Sequence, residues 1–329
     1  MDELLGDDAK LHRSDLARAY STARPFRHVI VENFFTESFC ARLLEEFPAF
    51  DRTRALDEFG EVGNKSTCED VRSLGPAYRA MDDLFQSVEF RELITEITGV
   101  QSLVYDPLYF GGGTHENRPG QDLDPHVDFN YHPVTALHRR LNLIVYLNRE
   151  WEETWGGSIE LHSDPWSTDD ASVSFAPLFN RAILFETNEH SWHGFKRISP
   201  PPSRRDISRR SITIYYYSKS RPTEETAPPH TTFYVPRGIP ARFGAGYCMT
   251  PEDADDLHEL VARRDRFIRF YQSRELEFGE QIESMRERMK GAQDVPEAWI
   301  GLGRRLFASP VGERYLARPL RQLRRRMRT

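Results

Sequence analysis

The chain has 329 residues, enough for one large domain or two small ones. With 39% hydrophobic and 12% aromatic residues it can bury a core, which excludes global disorder, and no apolar run approaches the ~20 residues of a membrane-spanning helix. The net charge of −7 is uneven: from Arg304 onward nine arginines face one acidic residue, Glu313, so a tail at +8 follows a body at −15.

An acidic body with a basic tail points to a separate partner for the tail. Cys40, Cys68 and Cys248 are an odd number without metal-type spacing and read as reduced thiols. The first eight residues are acidic where a signal peptide would be basic, so a cytoplasmic protein is expected.

In chain order, residues 1–24 are polar and weakly patterned and read as a loosely held arm. His28 to Phe35 is rich in strand formers. Thr36 is the expected N-cap of a helix carrying Phe39, Leu43 and Leu44. Residues 51–74 lack a clean period and read as loop. Residues 75–98 read as one helix with Leu84, Phe90, Leu93 and Ile94 facing the core and Gly99 ending it.

From Leu103 short strands take over: Leu103 to Tyr105, Leu108 to Phe110, Pro125 to Asn130, Leu141 to Asn148, Ser158 to Leu161, Val173 to Phe175, Arg181 to Phe185 and Arg209 to Tyr217. Many short strands separated by Gly/Pro turns predict a mostly β fold with flanking helices (α+β), best met by a jelly roll. The strand region ends at Tyr234-Val235-Pro236. The organisation expected is an arm (1–24), a catalytic domain (25–235, β core about 101–218) with its N-terminal helices packed on the core, and a helical extension (236–329).

Thr250-Pro251-Glu252-Asp253 is a capping sequence. The helix it opens carries an apolar stripe from Leu257 to Met289 that approximates heptads and is broken by Gly279. The stripe fits either a helix folded over the β core or a homodimer seam through residues 250–290. In the tail, Leu316, Leu320, Leu323 and Met327 share a helical face ringed by arginines, a pattern suited to peripheral contact with an anionic membrane surface. No aromatic platform accompanies those arginines, which argues against nucleic acid.

The chemistry centres on Pro125-His126-Val127-Asp128. In a strand, residues two apart share a face, so His126 and Asp128 place an imidazole beside a carboxylate. His193, in Ser191-Trp192-His193-Gly194, is the candidate third ligand of a two-histidine, one-carboxylate iron site with open positions. His190 would lie on the opposite strand face, and His132 and His138 fit loop or surface roles better. An iron oxygenase fuelled by 2-oxoglutarate also needs a cation for the far carboxylate, and arginine binds carboxylates bidentately. The strand beginning Arg209-Arg210-Ser211 supplies two, on opposite faces, and parity alone does not choose between them.

The order His126-x-Asp128, Tyr146-Leu147-Asn148, Gly156-Gly157, His193, Arg209-x-Ser211 resembles the Fe(II)/2-oxoglutarate dioxygenases of the prolyl 4-hydroxylase type, from about Phe26 to about Ser218. The resemblance implies a double-stranded β-helix, with His126, Asp128 and His193 on iron. It also implies Arg209 on the 5-carboxylate of 2-oxoglutarate, aided by Tyr146 and by Ser211. Fe(II), 2-oxoglutarate and O₂ would be required, with ascorbate a candidate reductant. The reaction implied couples decarboxylation of 2-oxoglutarate to succinate and CO₂ with oxidation of a substrate. Asp at position 128, where a halogenating relative has a small residue, favours hydroxylation. The spacing from His193 to Arg209 is longer than the family's, which keeps Arg210 and Arg205 in view. Phe129, Tyr131, Trp155 and Trp192 are candidates for the substrate mouth, and the long loop around Trp166 for substrate choice. The substrate, a small molecule or a peptide, is not specified. The alternative is a cupin-like module that binds a metal or small ligand without turnover.

Overall fold

The computed structural model describes residues 1, 3–55, 65–240 and 242–290. The chain divides into two compact units, residues 1–261 and 262–329. Within the first, two antiparallel sheets enclose the site.

The larger sheet is built from β1 (His28–Val31), β2 (Ser66–Cys68), β3 (Val104–Tyr105), β4 (Gly113–Asn117), β6 (His138–Tyr146), β9 (Ala182–Glu186) and β11 (Arg209–Ser218). Its order is β1-β9-β6-β11-β4-β2, with β3 also on β11. The smaller sheet contains β5 (Leu123–Val127), β7 (Ile159–His162), β8 (Ser172–Phe175), β10 (Trp192–Phe195) and β12 (Phe233–Tyr234), in the order β12-β5-β10-β7-β8. This is the expected jelly roll with flanking helices.

Period-two alternation sorts the central strands. Leu141, Leu143 and Val145 on β6, with Ile212, Ile214 and Tyr216 on β11, join the main apolar core. Their partners there lie on α3 (Glu37–Glu45), α4 (Pro76–Gln86) and α5 (Val88–Thr98), among them Phe39, Met81, Phe85 and Phe90. The alternate residues Ile144 and Tyr146 pack instead with Ile159 and Leu161 of the smaller sheet. One sheet face is therefore anchored to a helical layer, and the other is left for the cavity.

Several sequence expectations are corrected. Residues 1–24 are not a loose arm: α1 (Asp7–Leu11) and α2 (Arg13–Thr22) form there, and Leu5, Ala9 and Tyr20 are buried. Gly6 N donates to Phe34 O at 2.8 Å and Thr36 N to Leu4 O at 2.8 Å. The hydroxyl of Thr36 makes no cap and donates to Glu3 O. The helix expected over 75–98 is two helices. Ser87 ends α4 in an extended conformation and caps α5 by accepting from Phe90 N at 3.2 Å. Gly99 ends α5 in the left-handed region as expected (φ 76°). Within residues 51–74, β2 pairs with β4 rather than remaining loop. Leu108 to Phe110 is a turn, because the Asp106 carboxylate accepts from Leu108 N and Phe110 N. β4 was missed, since Gly-Thr-His-Glu-Asn carries no strand signal.

α6 (Pro251–Lys290) begins at the predicted cap, where Asp253 N donates to Thr250 Oγ1 and Thr250 N to Asp253 Oδ2. It runs through Gly279 without a break; a glycine in an exposed helix costs about 1 kcal/mol, which a long helix absorbs. Ile268, Tyr271, Phe278, Ile282 and Met285 of its stripe are exposed. The basic tail from Arg304 and the side chain of Met289 fall outside the described residues. Among the described residues no helix is long and apolar enough to cross a membrane. Cys40 and Cys68 are buried, Cys248 is exposed, and all three are free thiols.

Candidate active site

β5 and β10 pair in antiparallel register with His193 opposite His126. Cross-strand pairing and the His-x-Asp spacing thus bring three side chains together. One donor atom from each of His126, Asp128 and His193 lies within 4.8 Å of the others. His126 Nε2 is 3.7 Å from Asp128 Oδ1, His193 Nε2 is 3.5 Å from Asp128 Oδ2, and the imidazole centroids are 4.2 Å apart.

Both rings are oriented by their own strands. His126 Nδ1 donates to Asp124 O and His193 Nδ1 to Ser191 O, each at 2.9 Å. A carbonyl only accepts, so the proton sits on Nδ1 and the Nε2 lone pairs face the cluster. Burial, reinforced by the charge His193 would carry, lowers the His126 pKa to about 3, and burial also lowers that of His193. Burial raises Asp128, but Arg139 and the two imidazoles outweigh it and leave the carboxyl at about 2. The cluster is therefore two neutral imidazoles and a carboxylate near neutral pH, the protonation a divalent metal requires.

Arg139 was not singled out from the sequence. It is fully buried on β6 and donates from Nη2 to Asp128 Oδ2 at 2.8 Å. Its guanidinium carbon lies 3.5 Å from the Tyr215 ring centroid and 4.5 Å from that of Phe129. It holds the carboxylate through Oδ2, the oxygen nearer His193 Nε2, and so fixes the Asp128 rotamer beside both imidazoles. Only the Arg139-Arg140 pair at the head of a strand hinted at it, and a surface role fits such a pair equally well.

The cluster opens into a cavity of about 210 Å³ lined by residues of both sheets. Arg209, Ser211 and Thr213 of β11 face it, with His115 and Asn117 of the missed β4. Lys65, Asn142, Phe129 and Tyr215 also line it. Arg209 is 5% exposed; Nε donates to Gly157 O at 2.7 Å and Nη2 to Tyr146 Oη at 3.0 Å. Among the described residues no carboxylate pairs with it, and burial lowers its pKa. Arg210 points the other way and pairs with Glu116 at 3.2 Å. Tyr146 is fully buried, and its hydroxyl serves Arg209 rather than opening onto the cavity.

Gly157 makes this clamp possible. At φ 70° it presents its carbonyl to Arg209, and a Cβ there would stand 2.7 Å from Trp151 and 3.4 Å from Arg209 Cδ.

The remaining candidates lie elsewhere. His190 is exposed. His132 is buried in a loop, its Nδ1 accepting from Val134 N and Thr135 N. His138 stacks on Tyr131, and Trp155 packs against Trp151. Trp192 is absent from the cavity lining, and Trp166 is 69% exposed.

The sequence model of the 2OG-Fe(II) oxygenase superfamily matches residues 112–217, the span holding all three cluster residues and Arg209. This stretch is a 2OG-Fe(II) oxygenase domain. The superfamily depends on Fe(II), 2-oxoglutarate and O₂, and the oxygenase domain's two neutral imidazoles and carboxylate fit the metal. The chain is also similar to the prolyl 3-hydroxylase OGFOD1 of Mus musculus, 21% identical over 253 residues, which is 72% of this chain. It spans only 39% of that relative's length. Among solved structures it is similar to prolyl 4-hydroxylases from Phytophthora capsici (18% identity, 80% of this chain and 77% of that one, TM-score 0.43). It is also similar to a prolyl hydroxylase from Trichoplax adhaerens in complex with a hypoxia inducible factor peptide fragment (16% identity, 65% and 91%, TM-score 0.46).

Proposed function

We propose that the protein is a hydroxylase in which His126, Asp128 and His193 hold Fe(II) and Arg209 holds the far carboxylate of 2-oxoglutarate. The observation that carries this reading is the shared cavity: a neutral-His₂/carboxylate cluster and a buried arginine with no carboxylate partner among the described residues line one space. When bound, Fe(II) and 2-oxoglutarate would supply the electrons that activate O₂, the oxidant: one oxygen atom would enter succinate as CO₂ leaves, and the other would go to the substrate.

The chain's own residues do the positioning. The Nδ1–carbonyl bonds fix both imidazole tautomers, and Arg139 aims the carboxylate. Gly157 O and Tyr146 Oη hold the Arg209 fork so that it meets a carboxylate with little reorganisation. Ser211 and Thr213, on the same strand face, border the space between anchor and metal. Asp128 keeps a carboxylate at the position where a smaller residue would leave room for a halide, which supports hydroxylation. The likeness to a prolyl 3-hydroxylase makes a prolyl residue the first substrate to try.

The test is anaerobic addition of Fe(II) and 2-oxoglutarate. A weak visible charge-transfer band is expected in the wild type and none in His193→Ala. A wild-type protein that binds Fe(II) but gives no band with 2-oxoglutarate would refute the reading in favour of a metal-binding module.

A further inference from the structure

The segment after β11 returns across the cavity. Between Ala227 and Val235 the chain carries the short strand β12 (Phe233–Tyr234), and its residues alternate there: Thr232 and Tyr234 line the cavity, while Thr231 and Phe233 are exposed. Among the described residues this segment borders the cluster on the solvent side, whereas the larger sheet is backed by helices.

The hold on this segment is identifiable: Val235 N donates to Pro125 O at 2.8 Å, Tyr131 Oη to Ala227 O at 3.4 Å, and the Tyr234 ring stacks on His126 with centroids 5.2 Å apart. β12 pairs with β5 over two residues only, Phe233 with Val127 and Tyr234 with His126. Upstream, Asn130 clips it by donating to Pro228 O at 2.8 Å and accepting from His230 N at 3.0 Å. The imidazole of His230 meets the Glu189 carboxylate at 2.5 Å and stacks on Phe233 with centroids 4.3 Å apart. Glu189 precedes β10, so the pair ties this segment to the strand bearing His193.

A cavity of about 210 Å³ is smaller than the ~300–1,000 Å³ usual for ligand pockets. It must hold a metal and a dicarboxylate before any substrate arrives, so a wall has to move. We propose that residues 227–235 are the gate through which substrate reaches the metal, latched by Asn130 and the His230–Glu189 pair. This rests on the site being the one described under the proposed function, yet its test does not need 2-oxoglutarate.

The probe is Co(II) alone, its uptake followed by visible absorption in the full-length protein, with hydrogen exchange measured in parallel. The variants are Glu189→Gln, which keeps the shape and removes the charge, and His230→Ala, which also removes the stack. Both are expected to speed amide exchange at Thr232 to Val235 at least tenfold, with β6 and β11 unchanged. Co(II) uptake should then be several-fold faster, with the same final absorbance. Faster strap exchange with wild-type uptake rates would overturn the gate, and unchanged strap exchange in both variants would overturn the latch. Loss of the Fe(II)/2-oxoglutarate band in the wild type would refute the proposed function without touching either result.

Discussion

The two ends of the cavity bury charge in opposite ways. At the metal end, Asp128 and Arg139 form an ion pair inside the chain, and aromatic rings cover the guanidinium. At the far end, Arg209 is also enclosed and flanked by the Phe195 and Tyr146 rings, but among the described residues its hydrogen bonds go to a carbonyl and a phenol and none to a carboxylate. Burying a cation without an anion is costly, so the first arrangement is complete by itself, and under the proposed function a ligand's carboxylate would complete the second. A site that released its cosubstrate every turnover would gain from that asymmetry: the structural pair would stay and the counter-ion would leave.

The sharpest way to break this comparison is to remove each arginine of the β11 pair. Arg209→Ala should weaken 2-oxoglutarate binding by roughly 100-fold or more, the worth of a buried charge-assisted bidentate contact. Arg210→Ala, which loses only a half-exposed pair with Glu116, should change it less than about threefold. Titration of the charge-transfer band measures both, and equal losses would contradict the assignment. At the other end, Arg139→Met keeps the bulk between Phe129 and Tyr215 but frees Asp128. Metal affinity should fall about 10–100-fold, as for other residues that orient a ligand, while 2-oxoglutarate affinity of the metal-saturated protein changes little. Competition against a metal indicator separates the two.

The smallest effect is in pH. His126 has an ordinary pKa of 6.5 and a folded value of about 3, so between these values the unfolded chain binds the proton that the folded chain refuses. Stability of the metal-free protein should therefore fall as pH drops through that window. Asp128, also depressed, adds to the loss in the same direction near its lower end. The thermal midpoint, followed from pH 7 to pH 4, should drop by several degrees. Saturating Zn(II) should raise the midpoint at pH 7 and leave it steeper with pH, because protons and metal compete for the same nitrogens.

What the sequence disclosed, it disclosed through periodicity and spacing. The period of two placed His126 beside Asp128 and divided Arg209 from Arg210, though only the folded sheets show which arginine faces the cavity. The apolar positions of α4 and α5 were legible, but not the break at Ser87, because a serine signals a cap only once Phe90 N is seen to need one. β4, with His115 and Asn117, escaped because its pairing with β11 and β2 overrides a poor strand propensity. The roles of Arg139 and of the segment bearing Tyr234, though the latter's strand character was legible, escaped for a related reason. Their roles depend on partners far along the chain, and nothing local distinguishes them from surface residues.

The Gly157 turn has one more implication. By accepting from Arg209 Nε while the Phe195 ring lies 4.4 Å from the guanidinium, it removes the slack that a long, flexible side chain would otherwise have. With one sheet carrying the proposed metal ligands and the other the clamped fork, the site would act as a caliper. Oxo-diacids one methylene shorter or longer than 2-oxoglutarate should fit poorly, and a methyl group added at Gly157 would reset the jaws without touching any ligand.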